Sequence, residues 1–134
     1  MCPLGRGASS FSITNFNNMS IFLTGGRSNG GVLNSVSSYS IAENEWREEP
    51  ELKHARISHS SCSHGEYVYV FAGMSKHKVS KIRHFVSSVE SLKVGSNQEW
   101  QVILEHSRLT RRDRPAVAVL SDHTIACFGG KKAF

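Results

Sequence analysis

The side chains best equipped for chemistry in this 134-residue chain are its seven histidines, its three cysteines and its 16 Lys and Arg residues. The histidines, His54, His59, His64, His77, His84, His106 and His123, are scattered. None forms an HxxxH or HxH pair with a carboxylate at helical spacing, so a metal centre would require distant residues to converge. Cys2, Cys62 and Cys127 form no CxxC pair, which points to neither a zinc module nor a redox motif. Such cysteine usage suits a reducing compartment. The stretch Gly25-Gly26-Arg27-Ser28-Asn29-Gly30-Gly31 is glycine-rich, yet it lacks the lysine of a phosphate loop and a helix to follow it. It reads as a turn between strands. With no hydrolase elbow and no dinucleotide fingerprint either, no catalytic residue, metal or cofactor is expected.

What remains is charge. Lys76, His77, Lys78, Lys81, Arg83 and His84 fall in one segment, and Arg108, Arg111, Arg112 and Arg114 in another, with Asp113 among them. The formal net charge is +5. Arg forks and Lys charges suit a partner that presents carboxylates, and the same residues also read as solvated loops. Phe85 is the lone aromatic in the first cluster, whereas nucleic-acid surfaces interleave bases with exposed aromatics, so nucleic acid is not expected. No apolar run approaches the roughly 18 residues of a membrane span. Met1–Gly7 has no apolar core of signal-peptide length. A cytoplasmic chain without membrane association is expected.

The elements that must carry these residues recur. Hydrophobic residues make up 39% and charged residues 20%, enough to fold a core. An apolar run closes on glycine three times, at Ile21–Gly26, Tyr67–Gly73 and Thr124–Gly130. Gly26 and Gly73 stand 47 residues apart, Gly73 and Gly130 57. After the glycines comes a short strand-like piece, at Val36–Ile41 and Val89–Leu92, then a tryptophan preceded by Glu, Trp46 or Trp100, then Arg56 or Arg112. Most of the length difference falls in residues 74–88, as a shared scaffold with one variable loop predicts. The apolar pieces are short, rich in Val, Ile, Phe and Tyr, and bounded by Gly, Asn and Ser, which reads as β throughout. Asn17-Asn18, His64-Gly65-Glu66 and Ser121-Asp122-His123 are hairpin turns by length and composition. Residues 76–86 show helical spacing at Val79, Ile82 and Val86, and read rather as a basic loop.

The sequence resembles kelch repeats. Their signature is a β-hairpin whose second strand ends in a glycine doublet, then a Tyr on the third strand and a Trp opening the fourth. Gly25-Gly26, Leu33-Asn34-Ser35-Val36 with Tyr39, and Asn44-Glu45-Trp46 match it; Arg56 with His59 is also typical. The second unit departs from it, with Ala72-Gly73 for the doublet and Leu92 where Tyr39 stands in the first; in the third, Pro115 stands where His59 stands in the second, ahead of a regular Gly129-Gly130 doublet. The resemblance implies an all-β fold of β-propeller blades, each of four antiparallel strands. One blade is expected over 9–50, a second over 56–104 and a half blade over 115–130. Tyr39, Trp46 and Trp100 would pack between blades, Arg112 would be structural like Arg56, and Cys62 and Cys127 would be small buried hydrophobes.

Closed propellers hold about 4–8 blades, so two and a half leave the ring incomplete. The chain is then a piece of a longer kelch protein, a self-assembling unit, or a complement to another chain's blades; the interrupted unit at Gly129–Phe134 suits the first. The resemblance further implies a non-catalytic protein-interaction module. Its partner would be met by loops that include Arg27, Asn29, Lys76, His77, Lys78, Lys81 and Arg83. In longer kelch proteins such modules recruit substrates to cullin-type ubiquitin ligases or bind actin and the cytoskeleton. The alternative is a piece of a propeller enzyme, such as a copper oxidase or a sugar-modifying isomerase.

Overall fold

The computed structural model describes residues 7–105 and 111–132; Cys2, His106 and Arg108 lie outside the described residues. Every regular element among the described residues is a β-strand, so no helix there is long and apolar enough to cross a membrane. In chain order the first unit holds β1 (Ser12–Phe16), β2 (Ser20–Thr24), β3 (Arg27–Ser28), β4 (Gly31–Val32), β5 (Val36–Ser40) and β6 (Glu45–Glu49). The second holds β7 (Ser60–His64), β8 (Tyr67–Phe71), β9 (Met74–Lys76), β10 (Arg83–Phe85), β11 (Val89–Lys93) and β12 (Gln101–Leu104). The third holds β13 (Arg112–Asp113), β14 (Ala116–Ser121), β15 (Thr124–Phe128) and β16 (Lys131–Lys132).

Two four-stranded sheets have the same up-and-down antiparallel order, β1-β2-β5-β6 and β7-β8-β11-β12. In the third unit the described residues form the hairpin β14–β15 and a short pairing of β13 with β16. The turns sit where the sequence puts them. Asn17 and Asn18 join β1 to β2 with φ of 50° and 56°, a left-handed conformation that Asn tolerates because its short amide bonds locally. Asn15 and Asn18 close that turn through their side chains at 2.7 Å.

The first strands of successive units lie side by side: β1 against β7, and β7 against β14. Small polar residues line that seam. Ser12 and Thr14 both reach the Ser61 hydroxyl, and the Ser63 hydroxyl donates to the Asn15 carbonyl at 2.7 Å. Between the two complete sheets lies the main core, made of Phe16, Phe22, Val36, Leu52, Val68, Val70, Leu92 and Trp100. Trp100 is fully buried, and its indole N–H donates to the Pro50 carbonyl of the preceding unit at 2.8 Å. A second cluster, Phe71, Ala72 and Val89, packs on Val117 and Ile125 of the last hairpin.

The two tryptophans differ for a physical reason. Trp100 has a sheet in front of it. Trp46 stands on the outermost strand of the first sheet, half-buried, its ring tilted against that of its cross-strand partner Tyr39 with centroids 5.2 Å apart. Tyr39 is held in turn by the Asn44 amide oxygen. Residues 74–88 are not a plain loop: β9 and β10 pair into a small ribbon, and the glycine-rich stretch after Gly26 makes another from β3 and β4.

Candidate functional site

The ribbons are held by a seam of backbone. The Gly26 N–H donates to the Arg56 carbonyl at 2.8 Å, and the Gly73 N–H to the Arg112 carbonyl at 2.9 Å. Each linker thus fastens to the glycine corner of the unit before it. Gly25 and Gly73 have no room for a side chain: a Cβ on Gly25 would lie 2.5 Å from the Arg56 carbonyl oxygen and 2.8 Å from the His59 ring, and one on Gly73 2.7 Å from the His59 Cβ. His59 therefore lies in a slot that two glycines of two units leave open. Ala72 occupies the corner position of Gly25 and Gly129 and takes their left-handed conformation, φ 59°.

Arg56 lies under this corner, fully buried. Its guanidinium donates to the carbonyls of Ala72 at 3.1 Å, Ser88 at 3.0 Å and His54 at 3.3 Å, to the Ser88 hydroxyl at 2.8 Å and to Glu90 at 2.6 Å. Glu90, equally buried, also accepts the backbone N–H groups of Lys53 at 2.7 Å and His54 at 3.0 Å. A buried ion pair is tolerable only when its remaining bonding capacity is satisfied, and this one meets that condition. Arg112 repeats one of these bonds, donating to the Gly129 carbonyl at 2.8 Å.

Above the corner the ribbons β3–β4 and β9–β10 of neighbouring units face each other. Arg27, Ser28, Asn29, Gly30, Gly31 and Val32 form one wall of a cleft of about 250 Å³; Ile57, Ser75, Lys76, Lys81 and Arg83 form the rest. Five of the seven residues expected to meet a partner, Arg27, Asn29, Lys76, Lys81 and Arg83, are thereby brought together. The other two, His77 and Lys78, sit at the ribbon's tip. His77 organises that tip: its Nδ1 accepts the Ser80 N–H at 3.2 Å and its carbonyl the Lys81 N–H at 3.0 Å. No acidic residue lines the cleft, and among the described residues none of its four cations is in an ion pair. Four cations within one concave surface raise the local positive potential there. The tip adds Val79 and Ile82, 84% and 67% exposed, so the ribbon offers apolar contact beside its charge.

A second cavity of about 340 Å³ lies on the other side of the same ribbon, lined by Lys53, His54, Ser75, His84, Phe85, Ser88 and Glu105 among others. Lys53 and His54 escaped the sequence reading because their linker carries no charge run. Lys53 there pairs with Glu99. Ser88 Oγ and Glu90 both approach the same nitrogen of His54, Nδ1, at 3.1 and 3.4 Å. A relay that activates a serine needs base and acid on opposite ring nitrogens, so these three do not form one. Cys62 and Cys127 are half-buried rather than sealed. Burial pushes the Cys62 thiol up to about 11; it raises Cys127 too, against the opposing charge of Arg112. Neither is therefore an activated thiolate. Among the described residues no three His, Cys, Asp or Glu side chains gather as a metal-binding group.

The comparisons with known proteins agree with this architecture. The Kelch motif family matches residues 18–53, which run from the first hairpin turn past β6. Beta-scruin of Limulus polyphemus is 38% identical over 66 residues, 48% of this chain and 7% of that much longer protein. Residues 18–53 thus carry a kelch motif, the second sheet repeats its strand order and glycine corner, and the described blades do not close a ring.

Proposed function

We propose that the chain is a non-catalytic protein-interaction module whose basic cleft receives an acidic segment of a partner protein. The convergence of Arg27, Lys76, Lys81 and Arg83 from two ribbons into one cleft free of acidic side chains supports this reading. The segments that carry them are the ones that vary in length between units, while the corners beneath are fixed by buried hydrogen bonds. Binding residues on loops over a rigid scaffold are the common arrangement.

The test is capture of a labelled oligoglutamate peptide, and of filamentous actin by co-sedimentation, because the family resemblance implies cytoskeletal partners. The chain in which Lys76, Lys78, Lys81 and Arg83 are replaced by Ser should lose at least tenfold in affinity for whichever probe binds, and the salt dependence should flatten. Equal capture by both forms, or a salt dependence that survives the replacement, removes the cleft from the site.

A further inference from the structure

The ribbon β9–β10 carries a second interaction surface at its tip, beyond the cleft reading and independent of it. The base of the ribbon is tied down. Met74 and Ile57 exchange backbone hydrogen bonds at 2.9 and 2.8 Å, the Val86 N–H donates to the Gly73 carbonyl at 2.9 Å, and Met74 stands opposite Phe85. The apolar residues of this base are covered, Met74 and Phe85 half-buried and Val86 buried. Those of the tip are not. Residues 76–84 are exposed without a break, and Val79 and Ile82 within them are the most exposed large hydrophobic residues among the described residues.

This exposure belongs to a folded turn. The His77 N–H donates to the Ile82 carbonyl at 2.9 Å, and the Lys81 N–H to the His77 carbonyl at 3.0 Å. Inside the turn the His77 ring accepts the Ser80 N–H at 3.2 Å, the Ser80 hydroxyl accepts the Ile82 N–H at 3.4 Å, and Lys81 takes a left-handed φ of 60°. Two aliphatic side chains are thereby presented with little backbone freedom left to lose on binding. The chain interleaves them with charge: Lys78 precedes Val79, and Lys81 and Arg83 flank Ile82. No Asp or Glu occurs in residues 74–88. The corresponding ribbon of the first unit, β3–β4, closes through Asn29-Gly30 and bears neither an aliphatic tip nor a lysine. The apolar tip is therefore no requirement of the fold.

A tip exposed at every residue from 76 to 84 has no walls to enclose a peptide segment. A lipid bilayer supplies what the tip lacks: an apolar layer for Val79 and Ile82, just beneath a plane of anionic headgroups for the cations beside them. We propose that the tip of β9–β10 seats in the surface of an anionic bilayer, with the two aliphatic side chains below the headgroups and Lys76, Lys78, Lys81 and Arg83 among them. Either element alone is weak, because two short side chains bury little area and surface charge is screened by salt; together they are the paired signals that stable attachment takes. The seat is peripheral. It needs no spanning segment, the lack of which underlies the expectation of a chain without membrane association.

The test is co-sedimentation of the intact chain with extruded vesicles. Vesicles of phosphatidylcholine with phosphatidylserine should capture it saturably, and phosphatidylcholine alone about tenfold more weakly or less. Val79→Ser with Ile82→Ser keeps every charge and should lose about tenfold or more on the anionic vesicles, while capture of the oligoglutamate peptide stays within about twofold. Arg27→Ser, which removes a cleft cation outside this ribbon, should do the reverse, so the two sites fail separately. Val79→Trp reads the depth: bromine on the lipid acyl chains should quench its added emission. The same lipids should leave the wild-type emission unchanged, because Trp100 is buried in the core and Trp46 stands on β6. No capture by the anionic vesicles, equal capture by both lipids, an undiminished Ser variant or an absence of quenching would each overturn the inference. Loss of oligoglutamate capture by the Ser variant, with vesicle binding intact, would overturn it in favour of a protein partner at the tip.

Discussion

Acidification should weaken this fold through His59. The imidazole is buried between the two glycine corners, its Nε2 bonded to the Thr24 hydroxyl at 2.8 Å, its Nδ1 buried without a partner. An unpartnered lone pair costs less than an unpartnered N–H, which puts the proton on Nε2. Burial, and next the adjacent Arg56 charge, lower its pKa from 6.5 to about 3, against a smaller opposing contribution from Thr24. The neutral ring is thus the form the fold accepts, and the unfolded chain takes up the proton first. Its contribution is complete above pH 6.5 and is lost progressively as pH falls towards 3. Between pH 7 and pH 5 the loss is about 2 kcal/mol, from about 1.4 kcal/mol per pH unit below 6.5. Urea unfolding followed by tryptophan fluorescence reads it, because Trp100 goes from full burial to solvent. With a slope of about 2 kcal/mol per molar urea, the midpoint should fall by about 1 M over those two pH units. His59→Gln retains a donor for Thr24 and removes the titration, so its midpoint should be lower at pH 7 but move about 1 M less with pH. If wild type and variant shift in parallel, the pH dependence lies elsewhere and the account of His59 fails.

Further substitutions test the corner. Arg56→Ala strands the Glu90 carboxylate and should cost about 3–5 kcal/mol, as should the loss of Glu90 alone. In the first unit Ala8 precedes the Ser9–Arg27 bridge as Arg56 precedes the Ile57–Met74 bridge, and Ser37 pairs with Leu23 as Glu90 pairs with Val70. Arg56→Ala with Glu90→Ser copies that pair and should cost well below the sum, measured by a double-mutant cycle in urea. Gly73→Ala should destabilise by well over about 1 kcal/mol, since its Cβ would meet the Ile57 carbonyl at 2.6 Å with φ at 93°. Ala72→Gly should be near neutral by thermal unfolding, because relief of about 1 kcal/mol of left-handed strain offsets the loss of a buried methyl worth about 0.8 kcal/mol.

The repeat was legible because its markers are local. A hairpin turn such as Asn17-Asn18 and an apolar run ending in glycine need only neighbouring residues to be recognised, and β1, β2, β5, β7, β8, β11, β14 and β15 fall within a residue or two of where the sequence puts them. The ribbons were not legible, because strands of two or three residues, such as Arg27–Ser28 and Met74–Lys76, carry no alternation for a period to show. The cleft was legible only as two separate lists. Arg27 and Lys81 become neighbours through the packing of one unit on the next, and nothing near either residue encodes that. Glu90 shows the same limit more sharply. A glutamate inside a short strand reads as solvent-facing, and it is buried because an arginine 34 residues earlier neutralises it.

The position of that arginine also separates scaffold from surface. Arg56 touches the adjoining ends of its unit's two inner strands, where β8 finishes and β11 begins, through Ala72, Ser88 and Glu90, while its backbone holds the previous unit through Gly26 and Leu33. The same linker turns through a left-handed residue at Ser58, as its counterparts do at Ser10 and Arg114, so the three units share one joint. A joint made of backbone bonds and one sealed ion pair places few demands on the residues above it. The ribbon that rises from Met74 could lengthen relative to the one after Gly26, and gather Lys76, Lys78, Lys81 and Arg83, without moving a strand beneath. Two kinds of cation meet at that joint: Arg56, whose charge Glu90 cancels inside the fold, and the ribbon cations Lys76, Lys78, Lys81 and Arg83, for which no ion pair stands among the described residues.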